Sequence, residues 1–181
     1  MTGMKIALTG KMRAGKDTAA DYLVNHFGFK RFALGDGIRD LCGQLFPGAD
    51  AEGKPRTLYQ NVGEAMRKIE SDVWINHLLR RIDEETRHGD NIVVTDIRQW
   101  EEYFSMMDNG FIIGRINASE IQRIRRMKAL GDQVNINRIR HKTEKVVDKL
   151  FVDFEIENEG SVRELYRQMD QVLINLTKKV A

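Results

Sequence analysis

Residues 5–28 constrain the fold more than any other stretch, because a short apolar run, a glycine-bounded basic loop and an amphipathic segment follow one another directly. Lys5-Ile6-Ala7-Leu8-Thr9 reads as a buried parallel strand. Ala19, Ala20, Leu23, Val24 and Phe27 share one helical stripe, which Gly28 ends. Between them runs Gly10-Lys11-Met12-Arg13-Ala14-Gly15-Lys16-Asp17-Thr18. A loop that wraps a triphosphate must turn tightly and present several backbone N–H groups to phosphate oxygens. Gly10 and Gly15 permit both, with the N–H groups of Lys11, Arg13 and Ala14 between them. Lys16 adds a mobile charge for the β- and γ-phosphates, and the following helix adds unpaired N–H groups and the positive end of its dipole. The expectation is a nucleotide phosphate cradle. Gly-x4-Gly-Lys alone arises by chance in about one chain in twenty of this size, so the flanking strand and helix carry the specificity.

Such loops ordinarily place Ser or Thr after the lysine to hold Mg²⁺, whereas this chain has Asp17 and then Thr18. A carboxylate is also a hard oxygen ligand. Three roles are open to Asp17: binding the metal directly, binding it through water, or complementing the helix dipole. Thr18 is expected at the α-phosphate.

At 181 residues, with 41% hydrophobic and 31% charged residues, one soluble α/β domain covering 1–181 is expected. No apolar run approaches the roughly 20 residues of a membrane span, and the N-terminus lacks a signal peptide's apolar core, so a cytoplasmic protein without membrane partners is expected. Cys42 is the only cysteine, which excludes an intrachain disulfide and a cysteine metal cluster, and it reads as a core residue on a helix over Ile38–Phe46. Histidines 26, 77, 88 and 141 lack metal-ligand spacing. A net charge of +2 argues against dedicated nucleic-acid binding, yet Arg115 to Lys142 holds six arginines and two lysines against two acids. That segment reads as local anion-handling machinery.

Strand signals recur at Lys5–Thr9, Phe29–Leu34, Asn91–Thr95, Phe111–Ile116 and, more weakly, Phe151–Ile156, with helical periodicity between them. This alternation predicts a five-stranded parallel sheet flanked by helices, with ligands beyond the strands' carboxyl ends. Asp96 ends the third strand, where an Asp can hold Mg²⁺ or its water, and Arg98 two residues on has the fork geometry to clamp a phosphate. Arg123 and Arg126 lie three apart on a helix over Ala118–Leu130, with Arg125 turned elsewhere. They are expected either to close over the transferring phosphoryl group or to form a basic solvated face. The polar loop Gly131 to Asn137 favours a lid over about 117–142. Asp36 and Arg39 open a helix where an acceptor could bind, although Asp36 reads first as an N-cap. Gln60, Asp72 and Trp74 are candidates for the acceptor wall within a helical insertion over about 36–75. Pro47 to Thr57 joins two of its helices. For Trp74 alone, a core role is the more common one.

Together these motifs resemble the nucleoside monophosphate kinase-like group of P-loop kinases, especially the phage-type deoxynucleoside monophosphate kinases. Gly10 to Thr18, with its Gly-Lys-Asp-Thr ending, is similar to that subgroup's variant of the loop, which makes Asp17 a family trait. Val94-Thr95-Asp96-Ile97-Arg98 is similar to its Asp-x-Arg strand end, associated with metal and acceptor phosphate. Ile156-Glu157-Asn158-Glu159-Gly160-Ser161 resembles the Asn-x-Gly loop that borders adenine there and in dephospho-coenzyme A kinases, which implies that Asn158 and Gly160 line the adenine site. Animal phosphomevalonate kinases look similar at the same motifs.

The resemblance implies a P-loop NTPase fold with a basic lid and an ATP- and Mg²⁺-dependent kinase of small phosphorylated acceptors, first a (deoxy)nucleoside monophosphate. Lys16, Asp96, Arg123 and Arg126 would serve catalysis, Asp17 and Asp96 the metal, and Asp36, Arg39, Gln60, Trp74 and Arg98 the acceptor. The rivals are a dephospho-coenzyme A or other small-metabolite kinase and a non-kinase ATPase or switch. No Asn-Lys-x-Asp guanine-reading motif occurs. Monomer and homodimer both remain open.

Overall fold

A computed structural model describes residues 3–49, 51, 53, 55–131 and 142–180 of the chain. Strands β1 (Lys5–Thr9), β2 (Lys30–Ala33), β3 (Ile92–Ile97), β4 (Ile112–Asn117) and β5 (Phe154–Glu157) form one five-stranded sheet in the order β2-β3-β1-β4-β5. β1 pairs in parallel with both β3 and β4, and β4 in parallel with β5. A strand flanked on both sides must be apolar along its length, and Ile6 to Thr9 are fully buried. Each expected strand is present, displaced by one residue or so except the last. β5 starts three residues late because Phe151 is exposed and Asp153 is spent on the Ile113 N–H, at 2.8 Å. The β4–β5 seam is unusually close at one point. Phe154 lies directly opposite Gly114, where an added Cβ would stand 2.0 Å from the ring.

The described residues divide into two compact units, 1–31 with 89–181, and 32–88. The first carries α1 (Lys16–Phe27), α5 (Trp100–Asp108), α6 (Glu120–Ala129), α7 (Lys142–Val147) and α8 (Val162–Val180), and the second α2 (Leu34–Leu45), α3 (Arg56–Ile69) and α4 (Val73–Glu85). The first unit's core joins Ile6, Leu8, Val93 and Ile116 to Ala19, Ala20 and Leu23 of α1 and Leu165, Met169 and Leu173 of α8. α1 ends at Gly28, whose left-handed φ of 67° lets its N–H reach Val24 O at 3.2 Å. Phe27 departs from the expected stripe at 39% exposure, lying in the last turn of α1. Tyr22 takes its place in the core, stacked on Tyr166 at 4.0 Å with its hydroxyl 2.7 Å from Asp170. That donated bond, with burial, pushes the Tyr22 phenol up to about 12.

In the second unit α2 begins at Leu34, four residues before the expected start. Asp36 is therefore not the N-cap. It is the third helical residue, and its carboxylate accepts the N–H of Ala33, the residue at the cap, at 2.9 Å. Cys42 is core, as expected, and burial pushes its thiol up. Trp74 is core too: its Nε1–H donates to Gly63 O at 3.2 Å and its ring meets His77 edge-on. A ring buried this way packs the three-helix unit. No helix among the described residues is long and apolar enough to cross a membrane.

Candidate functional site

The phosphate loop begins where β1 stops. Gly10 has φ 148°, Arg13 φ 63° and Gly15 φ 110°, so the backbone reverses repeatedly and curls into a concave turn. Two of these positions tolerate no side chain. A Cβ on Gly10 would meet Ile116 O at 2.4 Å, and one on Gly15 would meet Asn158 Nδ2 at 2.2 Å. Ala14 N–H closes onto Lys11 O at 3.1 Å. Helix α1 then starts from Gly15, which offers no side-chain cap, so its first N–H groups remain donors at the positive end of the helix.

Lys16 is 5% exposed, and its ammonium donates to Gly10 O at 2.8 Å and Lys11 O at 3.3 Å. Burial, assisted by the neighbouring Arg98 charge, pulls its pKa down to about 8. The charge is held by its own loop's carbonyls and is poorly compensated there. Asp17 stands exposed in the first turn, and Arg31 bridges it to Asp21, the latter at 2.6 Å. Thr18 is half-buried one residue on.

Asp96 owes its position to a bulge. Ala7 pairs with Val94 and Thr9 with Ile97, so Thr95 and Asp96 together oppose Leu8. Asp96 takes up the surplus residue at φ 73°, a conformation an L side chain rarely holds. Thr9 Oγ1 donates to Ile97 O at 2.7 Å and locks the bulge, while the fully buried Thr95 Oγ1 has no partner among the described residues. Arg98 Nη2 lies 3.4 Å from Asp96, and its Nη1 donates to Glu144 at 2.9 Å.

The basic helix α6 sits otherwise than a free lid face would. Arg123 is 3% exposed, with Nη1 3.4 Å from Met12 O and 3.5 Å from Glu144. Arg126 donates to Arg13 O at 3.2 Å, Ala14 O at 3.1 Å and Asn158 O at 2.7 Å. Both guanidiniums reach the loop's carbonyls, because a cation withdrawn from water must find acceptors. Burial pulls Arg126 below its usual pKa. The part of the expected lid from 132 to 141 lies outside the described residues, as does His141.

Asn158 is buried beneath the loop, its side-chain amide donating to Ala14 O at 2.8 Å and its N–H to Asn117 O at 2.8 Å. Glu159 accepts from Ser119 N–H and Oγ at the start of α6, which holds its carboxyl below the usual range. Gly160 follows at the surface before α8, where a Cβ would meet the Glu164 carboxylate at 2.3 Å. The structure thus brings Gly10 to Lys16, Asp96, Arg98, Arg123, Arg126 and Asn158 together in the first unit. Asp36, Arg39 and Gln60 lie in the second, where Asp36 is ion-paired with Arg39 and lies 3.8 Å from Arg81, and Gln60 is exposed.

Sequence reasoning missed Glu144. It is 3% exposed on α7, and its Oε2 accepts the Met12 N–H of the phosphate loop at 2.9 Å. The signal available was its spacing: Glu144, Val147 and Leu150 recur at three residues, and all three are buried. Asp148, one turn on, holds Lys11 Nζ at 2.7 Å. Among the described residues no group of three or more acids, histidines or cysteines gathers as a metal-binding cluster.

Comparison with solved structures gives TT1252 from Thermus thermophilus, at 19% identity over 97% of this chain and 99% of that one, TM-score 0.61. Shikimate kinase from Acinetobacter baumannii, solved with shikimate, is 16% identical over 96% and 94%, TM-score 0.58. Shikimate kinase from Bacteroides thetaiotaomicron is 15% identical over 94% and 98%, TM-score 0.52. These similarities show a P-loop kinase-like fold. No curated protein matches the sequence. One family model, described as an AAA domain, does match, over residues 6–147. From its first strand to the helix that carries Glu144, the chain belongs to the AAA_18 family of AAA domains.

Proposed function

We propose that this protein is an ATP- and Mg²⁺-dependent phosphotransferase acting on a small phosphorylated acceptor, with a (deoxy)nucleoside monophosphate as first choice. The observation that carries the reading is Lys16: a buried ammonium with a depressed pKa, held by two loop carbonyls in the same unit as Asp96 and Arg98. Bound phosphates would give that charge a better partner than carbonyl dipoles do.

The residues fit the groups the reaction needs. A concave turn with three positive-φ residues and an uncapped helix start suits a triphosphate. Asp17 and Asp96 would hold Mg²⁺, a cation that commonly takes one or two carboxylates and fills its other positions with water and phosphate oxygens. Mg-ATP, when bound, supplies the transferable phosphoryl group and a cation that neutralises it. Lys16 exchanges Gly10 O and Lys11 O for phosphate oxygens. Arg98 presents a guanidinium to the incoming acceptor phosphate. Loop N–H groups hold charge in place and exclude water, so catalysis is positioning and electrostatic stabilisation. Asp36, Arg39 and Gln60 are assigned to the acceptor, and Asn158 and Gly160 to the adenine side, from their places in the sequence motifs.

A second reading has a specific support. Shikimate kinases are among the folds it resembles, so the acceptor could be another small metabolite. ADP formation from Mg-ATP across (deoxy)nucleoside monophosphates, dephospho-coenzyme A, phosphomevalonate and shikimate, with an acceptor-free control, tests both. Turnover with one nucleoside monophosphate supports the first choice, and turnover with shikimate alone replaces it by the second. Turnover without any acceptor overturns both in favour of an ATPase.

A further inference from the structure

Glu144 has no part in that chemistry, yet its carboxylate is placed as a phosphate would be. It accepts a backbone N–H of the phosphate loop, from Met12 at 2.9 Å, and pairs with two guanidiniums, Arg98 at 2.9 Å and Arg123 at 3.5 Å. Backbone amides and arginine forks are the donors that bind phosphate oxygens elsewhere. A carboxylate 3% exposed must be compensated, and these donors compensate it. The arrangement nonetheless leaves one cation under-used. Arg123 is also 3% exposed, reaches both acceptors through a single nitrogen at 3.4 and 3.5 Å, and its Nε has no partner among the described residues. A buried fork held this loosely has donor capacity to spare.

We infer that Glu144 is a resident anion of the phosphate loop, a positioning residue that occupies the Met12 N–H, Arg98 and Arg123 until a phosphate competes for them. The inference rests on the phosphate-binding part of the proposed function. A phosphate arriving in the loop meets a fixed negative charge, and Glu144 already influences the Lys16 ammonium electrostatically. Repulsion between two anions a few ångströms apart in a partly buried site weakens phosphate binding, while the same carboxylate keeps Arg98 and Arg123 aligned in the phosphate-free protein.

The decisive probe is inorganic pyrophosphate without Mg²⁺, titrated calorimetrically into wild-type protein and Glu144→Gln at low and high salt. Gln keeps the size and an acceptor for Met12 N–H but removes the charge. Pyrophosphate should bind the variant about tenfold more tightly at low salt, and the gain should shrink at high salt because it is electrostatic. Unchanged or weaker binding would overturn the inference, and so would a gain that ignores salt. A purely structural Glu144 would move thermal stability without producing that pattern. Should Glu144→Gln fail to fold, the wild-type Met12 amide resonance decides: pyrophosphate should shift it, and a resonance unmoved at saturation sinks the idea. Pyrophosphate binding needs no phosphoryl transfer. Tighter pyrophosphate binding by the variant, with no kinase activity from the wild-type protein on any acceptor, would therefore sink the kinase reading alone, whereas wild-type kinase activity with unchanged pyrophosphate affinity in the variant would sink this inference alone.

Discussion

In its first half the phosphate loop mainly gives to the protein around it, through the Met12 N–H to Glu144 and the Lys11 ammonium to Asp148, with Met12 O accepting from Arg123 at 3.4 Å. In its second half it receives, as Arg126 and Asn158 donate to the carbonyls of Arg13 and Ala14. The polarity of the support decides what each half can still bind. Where α1 starts without a side-chain cap, its first N–H groups stay available to an anion. Where an N–H already serves a carboxylate, an anion must compete for it. On the proposed function, the start of α1 is the part of the cradle open to phosphate, and the first half is conditional on what Glu144 holds.

The harshest break of this contrast is Lys16→Met, which removes the buried ammonium that Gly10 O and Lys11 O hold. Phosphoryl transfer should fall by about a thousandfold or more, the scale on which loss of a preorganised charge acts. The fold should survive, because an unbranched apolar chain of similar length fills the same buried space. Steady-state kinetics beside a thermal melt check both, and near wild-type rates would refute the kinase assignment.

Gly15→Ala attacks the second half through its backbone. The new Cβ would stand 2.2 Å from Asn158 Nδ2 at a φ of 110°, so the Asn158–Ala14 bond must break and the strained φ remains. A loss of about 3 kcal/mol in denaturant unfolding is expected. Asn158→Ala sharpens the same point more gently. It leaves Ala14 O with Arg126 alone among the named donors and should cost about 1–2 kcal/mol, with weaker ADP binding as the loop loosens. Equal ADP affinity in Asn158→Ala would show that the second half needs no bracing.

What was legible in the sequence divides along the same line. Strand β1, the loop and α1 are contiguous, so residue order alone specifies them, and the alternation of elements specified the parallel sheet. The supports are not local: Glu144 lies 132 residues from Met12, and Asn158 lies 144 from Ala14. Periodicity reports that such side chains face inward, not what they meet. Arg123 and Arg126 were placed on one helical face correctly, yet only the packing of α6 shows that this face meets the loop's carbonyls. Asp36 was misplaced for the opposite reason. Gly35 and Gly37 look like a loop, but α2 runs through both, because the Asp36 carboxylate caps the Ala33 N–H from inside the helix.

The smallest expected effect reads how far Lys16 depends on its carbonyl partners. Its pKa is about 8 in the folded chain against 10.5 ordinarily. Below pH 8 the lysine is protonated folded or unfolded, and the full penalty for burying its charge is present. Between pH 8 and 10.5 the unfolded chain holds more protons, so rising pH relieves that penalty and favours the folded state relative to Lys16→Met. Phosphate should restore the charge, because an adjacent anion raises a lysine's pKa. At pH 8.5, pyrophosphate binding should therefore take up more protons in wild type than in Lys16→Met, and the difference should shrink at pH 7. Calorimetry in two buffers of different ionisation enthalpy measures that uptake, and the protons of pyrophosphate itself cancel in the comparison of wild type with Lys16→Met. Equal uptake by wild type and variant at pH 8.5 would move the titrating group away from Lys16, and with it the claim that the loop's carbonyls hold a cation awaiting phosphate.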